Sequence, residues 1–265
     1  MKKRITLGIT LILILMIITA CSNKQSTGPS SDKKGNVELT VSAAASLRDG
    51  MEVIQHTYQE AHPEVDLKIN FGGSGSLQRQ ISQGAPVDIF FSAAVDKFDR
   101  LIDEGKIAKE DGVDLLGNEL VLVVPKIKRS TITSFQDLVK KEVGKISIGI
   151  PESVPAGNYA KESLKEMNIW KDIESKIVYA KDVRQVLSYV ETGNVDAGMV
   201  YNTDAIVSNK VNIVSKANSE THSPITYPIG IIKTSKDNKA AKDFYNYLQT
   251  NKALKVFEEY GFTTK

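Results

Sequence analysis

Apolar positions first alternate at Val37, Leu39 and Val41, against Glu38, Thr40 and Ser42, a period of two that predicts a strand. The bulk then falls away in Ala43, Ala44 and Ala45. Ser46 follows, and Leu47, Met51, Ile54 and Tyr58 recur at helical spacing, so a helix opens there. The same switch of period repeats. Val65–Phe71 predicts a strand, Gly72-Gly73-Ser74-Gly75-Ser76 a turn, and Leu77–Ser82 a short helix ended by Gly84 and Pro86. Val87–Ser92 predicts a buried strand, followed by a helix through Phe98, Leu101 and Ile102. Further strands are predicted at Glu119–Val124, Ile146–Ile150, Ile177–Tyr179, Val195–Tyr201, Val211–Val214 and Ile225–Ile232. Helices are predicted around Leu138, at Asn158–Glu166, from Lys181-Asp182-Val183-Arg184, from Thr203, and at Ala240–Leu248 and Ala253–Tyr260. Strands alternating with helices give an α/β chain with parallel or mixed sheets covered on both faces.

The chain's ends change the picture. Lys2, Lys3 and Arg4 precede the apolar run Ile5–Ile18, which is short for a membrane span and fits the core of a secretory signal over residues 1–20. The sole cysteine, Cys21, stands directly behind it, and Ile18-Thr19-Ala20-Cys21 resembles a bacterial lipobox, which implies lipidation of Cys21 and attachment to a membrane. With no second cysteine there is no disulfide to form. Residues 21–36 then hold Ser, Lys and Gly with no large apolar side chain and read as a flexible tether.

The remaining chain is long for one core and suggests two lobes. Residues 37–118 with 225–265 are expected to form the first lobe and 119–224 the second. The strands at Glu119–Val124 and Ile225–Ile232 would carry the two crossings, so that a hinge closes over a cleft. Without Lys2, Lys3 and Arg4 the 34 basic residues fall to 31, against 32 acidic ones. A near-neutral chain without a basic patch interleaved with aromatics is a poor partner for nucleic acid.

Ligands of open α/β sheets sit beyond the carboxyl ends of strands. Five such ends share a character: Ala43-Ala44-Ala45-Ser46, Gly72–Ser76, Val154-Pro155-Ala156-Gly157, Asp182-Val183 and Tyr201-Asn202-Thr203. They are lined by small residues and hydroxyls, with no Lys or Arg at the tips except Arg184 and the more distant Arg79. Helix N-termini offer unpaired N–H groups and partial positive charge, so together these ends suit a small anion. Singly, each also reads as ordinary structure. Ser46, Ser74 and Ser76 suit helix caps, and Tyr201 suits a core aromatic. An enzyme is the competing class. Gly72–Ser76 nearly matches the hydrolase turn G-x-S-x-G, but Ser76 replaces the last Gly, and His56, His62 and His222 lie in a helix, before a proline and in a polar loop.

SAAASLRDGM at Ser42–Met51 resembles the opening of molybdate-binding proteins of bacterial ABC uptake systems. FGGSGSLQRQISQGAPVDIFFSA at Phe71–Ala93, GIPESVPAGNYAKESL at Gly149–Leu164, and AKDVRQVLSYVETGNVDAGMVYNTDA at Ala180–Ala205 are similar to that family's later segments, in order. The resemblance implies a two-lobed, type II periplasmic-binding-protein-like fold, no enzymatic activity and no cofactor. It implies a monomer that takes molybdate or tungstate outside the cell membrane and delivers it to ABC permease subunits. Sulfate is the alternative oxyanion. It places neutral donors at Ser46, at Ser74 of the two turn serines, at the backbone of Ala156 and Val183, and at Tyr201. One departure stands out: the turn has Gly72, Gly73 and Gly75 where relatives often carry Ala or Ser.

Overall fold

The computed structural model describes residues 37–127, 130–235 and 238–265. The expected signal, Cys21 and the tether lie outside them. In the first half, β1 (Val37–Ala44), α1 (Arg48–Ala61), β2 (Val65–Gly72), α2 (Ser74–Ser82), β3 (Ile89–Phe91), α3 (Val95–Asp103) and β4 (Ile107–Gly117) follow one another. β5 (Leu120–Pro125), β6 (Ile146–Gly149), α4 (Pro155–Glu166), α5 (Trp170–Ile173), β7 (Ile177–Ala180), α6 (Val183–Glu191), β8 (Ala197–Tyr201), α7 (Asn202–Ile206) and β9 (Val211–Lys216) come next. β10 (Thr226–Ile232), α8 (Lys239–Leu248), α9 (Asn251–Glu259) and β11 (Thr263–Thr264) end the chain.

Two sheets result, each the floor of one lobe. The first runs β11-β4-β10-β3-β1-β2 and the second β7-β6-β8-β5-β9. β1 lies parallel to β2 and β3, with Val41 opposite Ile69 and Ile89, while β10 runs antiparallel to β3 and β4. β6 lies parallel to β7 and β8, and β5 antiparallel to β8 and β9. β5 pairs in the second sheet alone and β10 in the first alone. The chain therefore crosses beside these strands, through Asn118-Glu119 and through the stretch from Ala217 to Ile225. Both sheets are packed on each face. Leu39, Val41, Ile54 and Phe244 are fully buried in the first lobe, and Ile148, Ala160, Leu164 and Val190 in the second.

Three expectations shift. α2 starts at Ser74, three residues before the predicted Leu77, because Gly73 has extended backbone and its carbonyl already accepts from Ser76 and Leu77 N–H at 2.9 and 3.0 Å. α4 starts at Pro155 rather than Asn158. A proline fits the first helical position, where no N–H is required. β4 and β11 were not expected, and they join the first sheet beside β10.

Candidate functional site

The five positions singled out along the chain meet at one small cavity. Its wall holds Ala44, Ala45, Ser46, Gly72, Gly73, Ser74 and Ala93 from the first lobe, and Val154, Pro155, Ala156, Val183 and Tyr201 from the second. The space is about 10 Å³, roughly what one water needs.

Each lobe supplies its share through a strand end. β1 runs out into the single 3-10 turn Ala45–Leu47, which holds Ser46 in the wall. β2 ends at Gly72, and Gly73 caps α2 so that Ser74 is its first residue. In the second lobe Val154 precedes α4, whose second residue is Ala156, and Asp182 caps α6 through a 2.8 Å bond from Gln185 N–H, leaving Val183 first. The N–H groups of such first-turn residues have no acceptor inside their helix. Tyr201 ends β8. Ser76, the other serine of the turn, is not in the wall, and its hydroxyl accepts from Arg79 at 3.3 Å.

Three hydroxyls belong to the wall. Ser74 Oγ accepts from Ala93 N–H at 2.9 Å, which leaves its proton free. Ser46 Oγ lies 2.8 Å from the phenolic oxygen of Tyr227. Tyr201 is 1% exposed, and its hydroxyl has no hydrogen-bond partner among the described residues. Burial, reinforced by the neighbouring Tyr227, pushes this phenol well above its ordinary pKa, so the proton stays on. A buried unpaired hydroxyl costs about 1–3 kcal/mol, and here it faces a cavity.

No charged side chain stands in the wall. Arg184, next to Val183, turns away. Its Nη1 lies 2.7 Å from Asp49 on α1 and 3.5 Å from Asp204 on α7. The two lobes are also in direct backbone contact, since Gly75 N–H donates to the Ser153 carbonyl at 3.0 Å. The glycines of the turn follow from this approach. A Cβ on Gly73 would stand 2.8 Å from Ser153 O and 3.0 Å from Lys181 O, and one on Gly75 2.9 Å from Ser153 Cα. Tyr227, Asn118 and Asp49 escaped the sequence reading, because each meets its partner across a long stretch of chain, and so did Asp204, which no local pattern marks.

Comparison with known proteins fits this geometry. Residues 39–263 match the model of the family described as bacterial extracellular solute-binding protein. YvgL of Bacillus subtilis (strain 168), provisionally named as an ABC transporter substrate-binding lipoprotein, is 55% identical over 265 residues, all of both chains. The molybdate-binding protein ModA of Haemophilus influenzae is 36% identical over 236 residues, 87% of this chain and 91% of its own. The solved periplasmic molybdate-binding protein of Azotobacter vinelandii superposes with a TM-score of 0.76 at 22% identity, over 85% of this chain and 98% of that one, and so shares the two-lobed fold. The chain belongs to the bacterial extracellular solute-binding protein family.

Proposed function

We propose that the protein binds molybdate or tungstate outside the cytoplasmic membrane and delivers it to an ABC permease, acting by binding rather than by catalysis. The observation that carries this reading is the Tyr201 hydroxyl, buried and unpartnered among the described residues, in a wall that also holds the Ser46 and Ser74 hydroxyls and no charged side chain. A compact dianion supplies the acceptors such a wall lacks. Ser46, Ser74 and Tyr201 would donate through their hydroxyls, and Ala156 and Val183 through backbone N–H groups at helix N-termini. With water excluded by closure, each of these bonds is worth more than in the open. An anion that carries a proton would present a donor to donors and be disfavoured.

A thermal-shift panel of molybdate, tungstate, sulfate and phosphate tests the reading, because a ligand of the folded state raises its melting temperature. Molybdate and tungstate are expected to give the largest shifts. A larger shift with sulfate would transfer the site to that anion. Ser46→Ala and Tyr201→Phe are each expected to weaken molybdate binding by about 1–3 kcal/mol in titration calorimetry. Unchanged affinity in both variants would remove these hydroxyls from the site.

The proposed route to the membrane is lipidation of Cys21, as the lipobox-like Ile18–Cys21 suggests. One acyl chain gives only marginal attachment, so stable anchoring needs a second. Cys21→Ser is expected to appear in the culture medium while the wild type stays with cells. Equal retention of the two would count against the anchor.

A further inference from the structure

We propose that Tyr227, which does not line the cavity, is a positioning residue that forces the Ser46 hydroxyl to donate into it. This rests on the oxyanion reading above and adds the device that fixes the polarity of one corner of the site.

A serine hydroxyl is ambiguous: it presents either a proton or a lone pair. At Ser46 the ambiguity is removed from behind. Asn118 sits on the crossing between β4 and β5. Its Oδ1 accepts from Glu119 N–H at 2.8 Å, which turns Nδ2 the other way. Nδ2 then donates to Thr203 Oγ1 at 2.9 Å and to the Tyr227 phenolic oxygen at 3.1 Å, and both amide protons are used. Tyr227 is fully buried. With Asn118 as a pure donor on one side, its own proton needs an acceptor. Ser46 Oγ, at 2.8 Å, is its close partner, whereas the Tyr201 hydroxyl, its other neighbour, makes no hydrogen bond of normal geometry among the described residues. The direction of the chain is thereby set: Asn118 to Tyr227, Tyr227 to Ser46, Ser46 to the cavity. Leaving the Tyr227 proton unmade in this dry setting would cost more than the alternative orientation of Ser46 could return.

The consequence is selectivity as well as affinity. A Ser46 that only donates refuses the proton of a hydrogen phosphate at that corner. Released from Tyr227, the same hydroxyl could turn and accept it. Asn118 also binds one group from each lobe, Tyr227 on β10 and Thr203 on α7, so the polarity is set where the lobes join.

The test is a double-mutant cycle of Tyr227→Phe and Ser46→Ala, with molybdate and phosphate titrated into each protein by calorimetry. Tyr227→Phe is expected to weaken molybdate about tenfold in the wild-type background and less than about twofold once Ser46 is alanine. The ratio of phosphate to molybdate affinity is expected to rise in Tyr227→Phe alone. Should that variant fold poorly, Asn118→Ala removes the donor that commits Tyr227 and is expected to move the ratio in the same direction. Equal losses in both backgrounds, or an unmoved ratio, overturn the relay. A wild-type protein that takes up no oxyanion overturns instead the reading on which it rests.

Discussion

Replacing Gly157 by alanine is expected to destabilise the protein by about 3 kcal/mol, and so to lower its melting temperature by roughly 6–12 °C. Gly157 is the third residue of α4, directly behind Ala156 in the cavity wall. A Cβ there would fall inside the Gly149 carbonyl group at the end of β6 and 2.9 Å from Gly149 Cα. These are backbone atoms, so no side chain can swing aside. α4 would have to lift from β6. The roughly 1 kcal/mol that alanine gains over glycine inside a helix is too small to offset this. Because the lifted end carries the Ala156 N–H, affinity for the anion should fall together with stability. Gly144→Ala is the matched control. Its Cβ would meet only Asp196 Oδ2, at 3.4 Å, and a change within about 0.5 kcal/mol is expected. Calorimetric melting of both variants checks the pair, and a Gly157→Ala protein that melts with the wild type would show that α4 and β6 are not in this close contact.

That glycine was visible in the sequence as part of V-P-A-G, but its reason was not. Alternation and helical spacing placed most strands and helices, and the small-residue stretches after β1, β2 and β6, with Tyr201 closing β8, marked the cavity, because those patterns are local. Where local rules point the wrong way the reading slipped. Gly72–Ser76 looks like a turn, since glycines disfavour a helix, yet α2 begins inside it and the glycines admit the other lobe's backbone. β4 was missed because its run of Lys109, Glu110 and Asp111 is polar and partly solvated, and its pairing partner β10 lies more than a hundred residues away. Taken locally, Tyr227 is one residue of a strand. Its role depends on Ser46, 181 positions earlier, and on Asn118, 109 positions earlier. No window of sequence holds such a triplet. The same is true of Arg184: Asp49, its carboxylate partner in the first lobe, lies 135 positions away.

Asp204 is expected to make stability fall as pH rises from about 4 to 7, and molybdate binding to take up protons near neutrality. The carboxyl is fully buried on α7, and its Oδ2 has no hydrogen-bond partner among the described residues. Burial pushes its pKa up from 3.8 to about 7, against the pull of Arg184, whose guanidinium lies 3.5 Å away. Asp49, bound to the same guanidinium, opposes ionisation as well. The folded pKa is raised above the unfolded one, so the native chain holds a proton that the unfolded chain has lost. The associated stability is fully present below about pH 4 and is gone once pH has passed through 7. A shift of about three units corresponds to roughly 4 kcal/mol. In Asp204→Asn this dependence should vanish. The stability difference between variant and wild type should grow between pH 5 and 7 and level off above, and parallel curves would refute the assignment. The same carboxylate raises the pKa of the Tyr201 and Tyr227 phenols, so its charge is felt at the cavity. A dianion bound there repels the ionised form and raises the Asp204 pKa further, and by linkage its affinity must increase as pH falls. At pH 7 to 7.5 the binding enthalpy should therefore depend on the ionisation enthalpy of the buffer, with proton uptake in the wild type and none in Asp204→Asn. Arg184→Met should act in the same sense as Asp204→Asn on the neutral-range titration, because the cation that favours ionisation of Asp204 is removed. With the cation gone the pKa climbs, the proton is held throughout the neutral range, and the first lobe loses the ion pair through which Asp49 holds α1 against α6.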